Sequence, residues 1–70
     1  MTKLRFTRLS HGLRQADIQS LTTGVVRQHR LSEIERGMPA KLEEAQALAD
    51  IFSLPVEELG ITLIQEAVAS

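Results

Sequence analysis

The chain contains no cysteine, tryptophan or tyrosine, and only two phenylalanines, Phe6 and Phe52. Without cysteine there is no disulfide and no zinc site built on thiolates. A small domain that needs no disulfide fits a reducing cytosol, so a cytoplasmic location is expected. Two rings are too few for a β-sandwich or barrel, whose strands favour aromatic and β-branched residues. They are also too few for a stacking platform on single-stranded nucleic acid. No apolar run approaches the roughly 20 residues that span a bilayer, and the N-terminal stretch is charged rather than signal-like. No membrane association is expected. The apolar C-terminal stretch carries no basic residue to meet anionic lipid. The two histidines, His11 and His29, are far apart, which predicts no metal site and no cofactor. Ser10 beside His11, and His29 near Ser32, pair a hydroxyl with an imidazole. Neither has an acid placed to orient the ring, so the chain is not expected to be an enzyme.

What remains is a chain of 70 residues, rich in Leu, Ile, Val and Ala. That is one small domain, which buries only about 60% of the surface its unfolded chain exposes. The composition suits short packed helices. The net charge of −1 hides a division. All eight basic residues (Lys3, Arg5, Arg8, Arg14, Arg27, Arg30, Arg36 and Lys41) lie in the first 41 positions, opposed there only by Asp17, Glu33 and Glu35. From Leu42 onward there are six acids and no base. Local charge drives polyanion binding, so the basic half is the candidate surface. An ordinary mixed surface with chance segregation is the alternative, and charge alone does not decide between the two.

Helical periodicity and stop signals predict five helices and a tail. Leu4, Phe6, Arg8 and Leu9 suggest a helix over residues 2–11, with Gly12 as its stop, His11 near the dipole's negative end and Leu13 turning inward. Residues 15–22 read as a second helix with Ile18 and Leu21 inward. Thr22, Thr23 and Gly24 break it, and Val25 anchors the turn. Residues 27–36 form a third helix, with Leu31 and Ile34 inward, Glu35 beside them, and Gln28, His29, Ser32 and Glu33 outward; Gly37 and Pro39 end it. Residues 41–52 form a fourth, its buried stripe Leu42, Ala45, Leu48, Ala49 and Phe52, with Glu43 and Glu44 in the first turn. Ser53 reads as a cap for a fifth helix that begins near Pro55 and ends near Gly60, with Val56 and Leu59 in the core. The domain therefore spans residues 1–60. Residues 61–70 form a short apolar tail.

Two short helices joined by a Gly-containing turn are a helix-turn-helix candidate. Gln28, His29, Ser32 and Glu33 can meet base edges: Gln can bond adenine bidentately, and Glu can accept from cytosine N4. Gln15 opens the second helix, where backbone N–H groups favour an anion. Arg14, Arg27, Arg30, Arg36 and Lys41 surround the third helix as candidate phosphate contacts, which position without reading sequence.

The blocks Leu4-Arg5-x-x-Arg8, Gly12-Leu13-x-Gln15-x-Asp17-Ile18, Thr23-Gly24-Val25 and Leu31-Ser32-Glu33-Ile34-Glu35-Arg36-Gly37 resemble the Cro/repressor (Xre) family of helix-turn-helix regulators. Leu48-Ala49-x-x-Phe52-x-Leu54-Pro55-Val56-Glu57-Glu58-Leu59 resembles the family's fourth and fifth helices. The likeness covers roughly residues 3–60. It implies a compact all-α, five-helix repressor-like domain in which the second and third helices form the motif. It implies that Gln28 and His29 are the main base readers, with Ser32 and Glu33 next, and that Gln15, Arg27 and Arg36 contact phosphates. It also implies a structural ion pair between Arg8 and Glu35. The chain departs from the family by about two extra residues between Gln15 and Glu35, around positions 20–26. That leaves open where the third helix starts, and whether Arg30 reads bases.

The expected function is a sequence-specific regulator of transcription on double-stranded DNA, of bacterial or phage type. A lone domain reads few bases, so a homodimer on two half-sites is expected. Val56, Leu59, Ile61, Leu63, Ile64 and Val68 are the candidate dimer surface; packing back onto the same subunit is the alternative. Two other readings stay open: an antitoxin that binds a toxin and autoregulates, and a helix-turn-helix used only for protein contacts, as in an antirepressor.

Overall fold

The computed structural model describes residues 2–64. Among these the chain is helical, with no strand: α1 (Lys3–Ser10), α2 (Gln15–Leu21), α3 (Gln28–Glu35) and α4 (Leu42–Phe52), then a single 3-10 turn (Val56–Leu59). Of the expected tail, residues 65–70, including Val68, lie outside the described residues.

Local chemistry sets the helix limits. Thr2 caps α1 by accepting the Arg5 N–H at 3.2 Å. His11 closes it: its Nδ1 lies 2.9 Å from the Thr7 carbonyl, and its ring tilts against Phe52 at a centroid distance of 5.0 Å. Gly12 then turns the chain at φ 69°, a region an L side chain enters at a cost. The Leu13 N–H returns to the Arg8 carbonyl. At the end of α4 it is Ser53 that adopts the left-handed conformation. Ser53 therefore terminates α4 rather than capping the next segment. The fifth helix is likewise corrected to one 3-10 turn. Pro55 flanks it on one side and left-handed Gly60 on the other, leaving four residues, too few for an α-helix to establish its repeating bonds.

Leu4, Ile18, Val26, Leu31, Ile34, Ala40, Leu48, Ala49, Phe52 and Leu59 form one core. Three expectations change here. Ile18 and Thr22, four apart, take the inward line of α2, and Leu21 falls to its side, exposed. Thr23 and Gly24 both have positive φ, which turns Val26 inward in place of Val25. Thr22 locks this geometry: its hydroxyl donates to the Ile18 carbonyl at 2.8 Å and accepts the Val26 N–H at 3.1 Å. Leu42, the first residue of α4, projects past the edge of the core and is exposed. The buried stripe starts at Glu44 and Ala45 instead.

The first residues of the expected tail are tied to the domain. Ala40 donates to the Thr62 carbonyl at 2.7 Å, and Ile64 donates to the Ala40 carbonyl at 2.9 Å. These bonds form an isolated parallel bridge between Ala40 and Leu63.

Candidate nucleic-acid interface

Helix α3 is held by polar links at three levels. At its last residue, Arg8 grips Glu35 with Nε and Nη2, the latter at 3.0 Å. Its Nη1 donates to the Leu13 carbonyl at 2.9 Å. Gln15 adds a bond from Nε2 to Glu35 at 3.2 Å. Arg8 and Glu35 are both buried. The Glu35 hydrogen bond raises the already high pKa of the Arg8 guanidinium against the opposing effect of burial, so the guanidinium stays charged.

In the middle of α3, Arg30 reaches α4. Its Nε and Nη2 meet the two Glu44 oxygens at 3.0 and 2.7 Å. Nη2 also donates to the Pro39 carbonyl, and Nη1 to Glu33 at 3.4 Å. Glu44 accepts the Lys41 backbone N–H at 2.9 Å as well. Its pKa is lowered, first by the Arg30 hydrogen bond and then by that N–H, against the opposing effect of burial. Arg30 was expected as a phosphate contact or base reader. In the structure all three of its guanidinium nitrogens donate to acceptors within the domain, which sets it apart from the open cations. At the first residue of α3, the Gln28 N–H donates to the side-chain oxygen of Gln19 at 2.9 Å.

The face of α3 away from the core is open. Helix α3 begins at Gln28 with Arg27 as its N-cap residue, which fixes the start that the sequence left uncertain. Gln28 and His29 are exposed and Ser32 is half-exposed. Together with Gln15, Gln19 and Arg27 they line a shallow groove. A second groove adjoins it, sharing Gln15, Gln28 and Ser32 and adding Arg5, Arg14 and Arg36, with the Arg8–Glu35 pair also in its lining. Gln28, Ser32 and Arg36 follow one another at four-residue steps, on one face. Glu33 lines neither groove. It leans toward Arg30, so it is set apart from the other three proposed readers.

The remaining cations differ in how free they are. Among the described residues, Lys3, Arg5, Arg27, Arg36 and Lys41 have no carboxylate partner within ion-pair distance. Arg14 makes only a loose contact with Asp17 at 3.7 Å and is 88% exposed, a pair worth little in water. Arg14, Arg27 and Lys41 are the N-cap residues of α2, α3 and α4. None can accept a helix N–H, so each start presents a cation where a capping oxygen is usual. Lys41 lines neither groove.

Three contributors escaped the sequence reading. Arg5 lies one turn before Arg8 and joins the groove. Glu44 is an acid at a core-facing position of α4, four residues before Leu48, and that spacing was its signal. Gln19 gave no signal, because its partner is a backbone N–H nine residues on.

The candidate dimer surface divides. Leu59 is fully buried in its own subunit and is removed from it. Val56 and Ile61 are half-buried against the core. Leu63 and Ile64 are exposed, as are Met38 and Leu42. Among the described residues no helix is long and apolar enough to cross a membrane, and no cluster of side chains is suited to hold a metal ion. Comparison with protein-family models, curated proteins and solved structures finds no match to the chain.

Proposed function

We propose that the chain is a sequence-specific double-stranded DNA-binding regulator of the Cro/repressor type, with α2, the connection 22–27 and α3 as its helix-turn-helix. One observation carries this reading. Helix α3 is tethered on its inner side by Arg30 and Glu35, while its outer side presents Gln28, His29 and Ser32 in grooves flanked by Arg5, Arg14, Arg27 and Arg36. A helix with its side chains is about 10–12 Å across, which the major groove, about 12 Å wide, admits. Gln28 and His29 read base edges, Ser32 assists, and Glu33 contributes only if it leaves Arg30. Arg5, Arg14, Gln15, Arg27 and Arg36 hold phosphates. Gln15 spends one amide hydrogen on Glu35 and keeps the other for that contact.

The regulator acts as a homodimer through exposed Leu63 and Ile64, joined by Met38 and Leu42. A second reading, a protein partner such as a toxin, is favoured by Phe6 and Leu9, which lie exposed on α1.

The test is fluorescence anisotropy on a library of duplexes at several salt concentrations. A reader of this kind shows a steep loss of affinity with salt and retains a preference for one duplex. Equal affinity for every duplex would sink the reading.

A further inference from the structure

Helix α2 carries two glutamines four residues apart, Gln15 and Gln19, and they bond to opposite ends of α3. Gln15 donates to Glu35, the last residue of α3, at 3.2 Å. Gln19 accepts from the backbone N–H of Gln28, the first residue, at 2.9 Å. The second bond is needed because of what stands before it. A helix start leaves its first N–H groups without intrahelical partners, and a Ser, Thr, Asp or Asn at the N-cap usually supplies an acceptor. Here the N-cap residue is Arg27, which has no acceptor. The next two amides, of His29 and Arg30, have no acceptor among the described residues. Gln19 therefore supplies, from another helix, an acceptor for the first amide of α3, where no local side chain offers one to any amide of the first turn.

The consequence is geometric. The six-residue connection 22–27 contains two consecutive residues with positive φ, Thr23 and Gly24; Thr22 pins it as far as buried Val26, but Arg27, the next residue, is exposed and makes no cap bond to the first turn of α3. The Gln19 bond ties that turn to α2, the helix whose start carries Arg14 and Gln15.

We propose that Gln19 is a positioning residue for sequence selectivity. By holding the Gln28 N–H, its side-chain oxygen keeps Gln28 and His29 in one register relative to the phosphate-contacting groups of α2. This rests on the DNA-reading role of α3. Gln19 is exposed, so its replacement leaves the core intact.

Two variants separate the cap from bulk and charge. Gln19→Met keeps the length and loses the acceptor; Gln19→Glu keeps an acceptor. Amide hydrogen exchange by NMR on the free protein examines the bond without DNA. The Gln28 amide should be protected roughly tenfold over its intrinsic rate, lose that protection in Gln19→Met and keep it in Gln19→Glu. The second arm uses the duplex enriched from a randomised library by the wild type, and a scrambled duplex of equal composition. Gln19→Met should lower the preference for the enriched duplex about five- to tenfold, the enriched duplex losing more affinity than the scrambled one and the salt slope staying the same. Gln19→Glu should weaken both affinities and retain the preference. An unprotected Gln28 amide in the wild type overturns the proposal, as does an unchanged preference in Gln19→Met. Equal loss on both duplexes, with a lowered melting temperature, marks a merely structural residue and overturns it too. If the wild type prefers no duplex, the base-reading role falls and the selectivity claim falls with it; the cap itself is still decided by exchange alone.

Discussion

The inner and outer flanks of α3 are built from similar residue types and use them in opposite ways. On the inner flank, Arg30 and Glu35 are bound by Glu44, Arg8 and Gln15. On the outer flank, Gln28, His29 and the neighbouring Arg27 and Arg36 are exposed, and no other element of the described domain holds their side chains. Arg30 and Arg36 lie six residues apart, yet one is a strut and the other faces a groove. Position relative to an acid, not residue type, makes the difference. Counting basic residues therefore overstates the charge available to a polyanion: Arg8 and Arg30 are neutralised internally. Glu44, which neutralises Arg30, comes from the acidic half of the sequence.

The largest expected effect breaks the inner flank. Arg8→Ala leaves Glu35 as a buried carboxylate without its main partner, a defect that typically costs about 3–5 kcal/mol. Urea unfolding should show this as a large fall in midpoint. Next comes the contrast between the two arginines. Arg30→Ala should cost about 1–3 kcal/mol, because it strips a charged hydrogen bond from buried Glu44; Arg36→Ala should change stability by no more than about 0.5 kcal/mol. On DNA the order reverses. Arg36→Ala should reduce the slope of log affinity against log salt by about 0.9, one phosphate's worth, with the slope unchanged in Arg30→Ala. Equal behaviour of the two variants in both assays would erase the distinction between the flanks.

A smaller effect lies in the pH dependence. Glu44 has its folded pKa below the ordinary value of 4.5. Its pairing therefore stabilises the fold fully above that value, and the contribution is lost as pH falls through the lower folded pKa. Chemical unfolding across the acid range should show a shallower acid decline in Glu44→Gln than in the wild type, together with lower stability at neutral pH.

Much of this architecture is legible in the sequence where the signal is local. Gly12 and Gly37 punctuate, Leu31 and Ile34 recur at a helical step, and four helices fall close to their expected limits. Register inside the connection was not legible. Whether Val25 or Val26 is buried depends on two residues with positive φ, one of them a threonine that gives little sign of it. The tethers of Arg30 and Gln19 were hidden for a related reason. Their partners lie 14 and nine residues away, on other elements, and no periodicity links them. Leu59 was legible as core, but its burial is complete, which removes it from any shared surface.

The central claim is that the outer flank of α3 reads bases while the inner flank holds the helix. The most direct test is the double variant Gln28→Ala, His29→Ala, measured for duplex selection from a randomised library beside its melting temperature. The account predicts a melting temperature close to wild type, retained salt-sensitive binding and lost preference for the wild-type duplex. Selection of the same duplex by the double variant would contradict it.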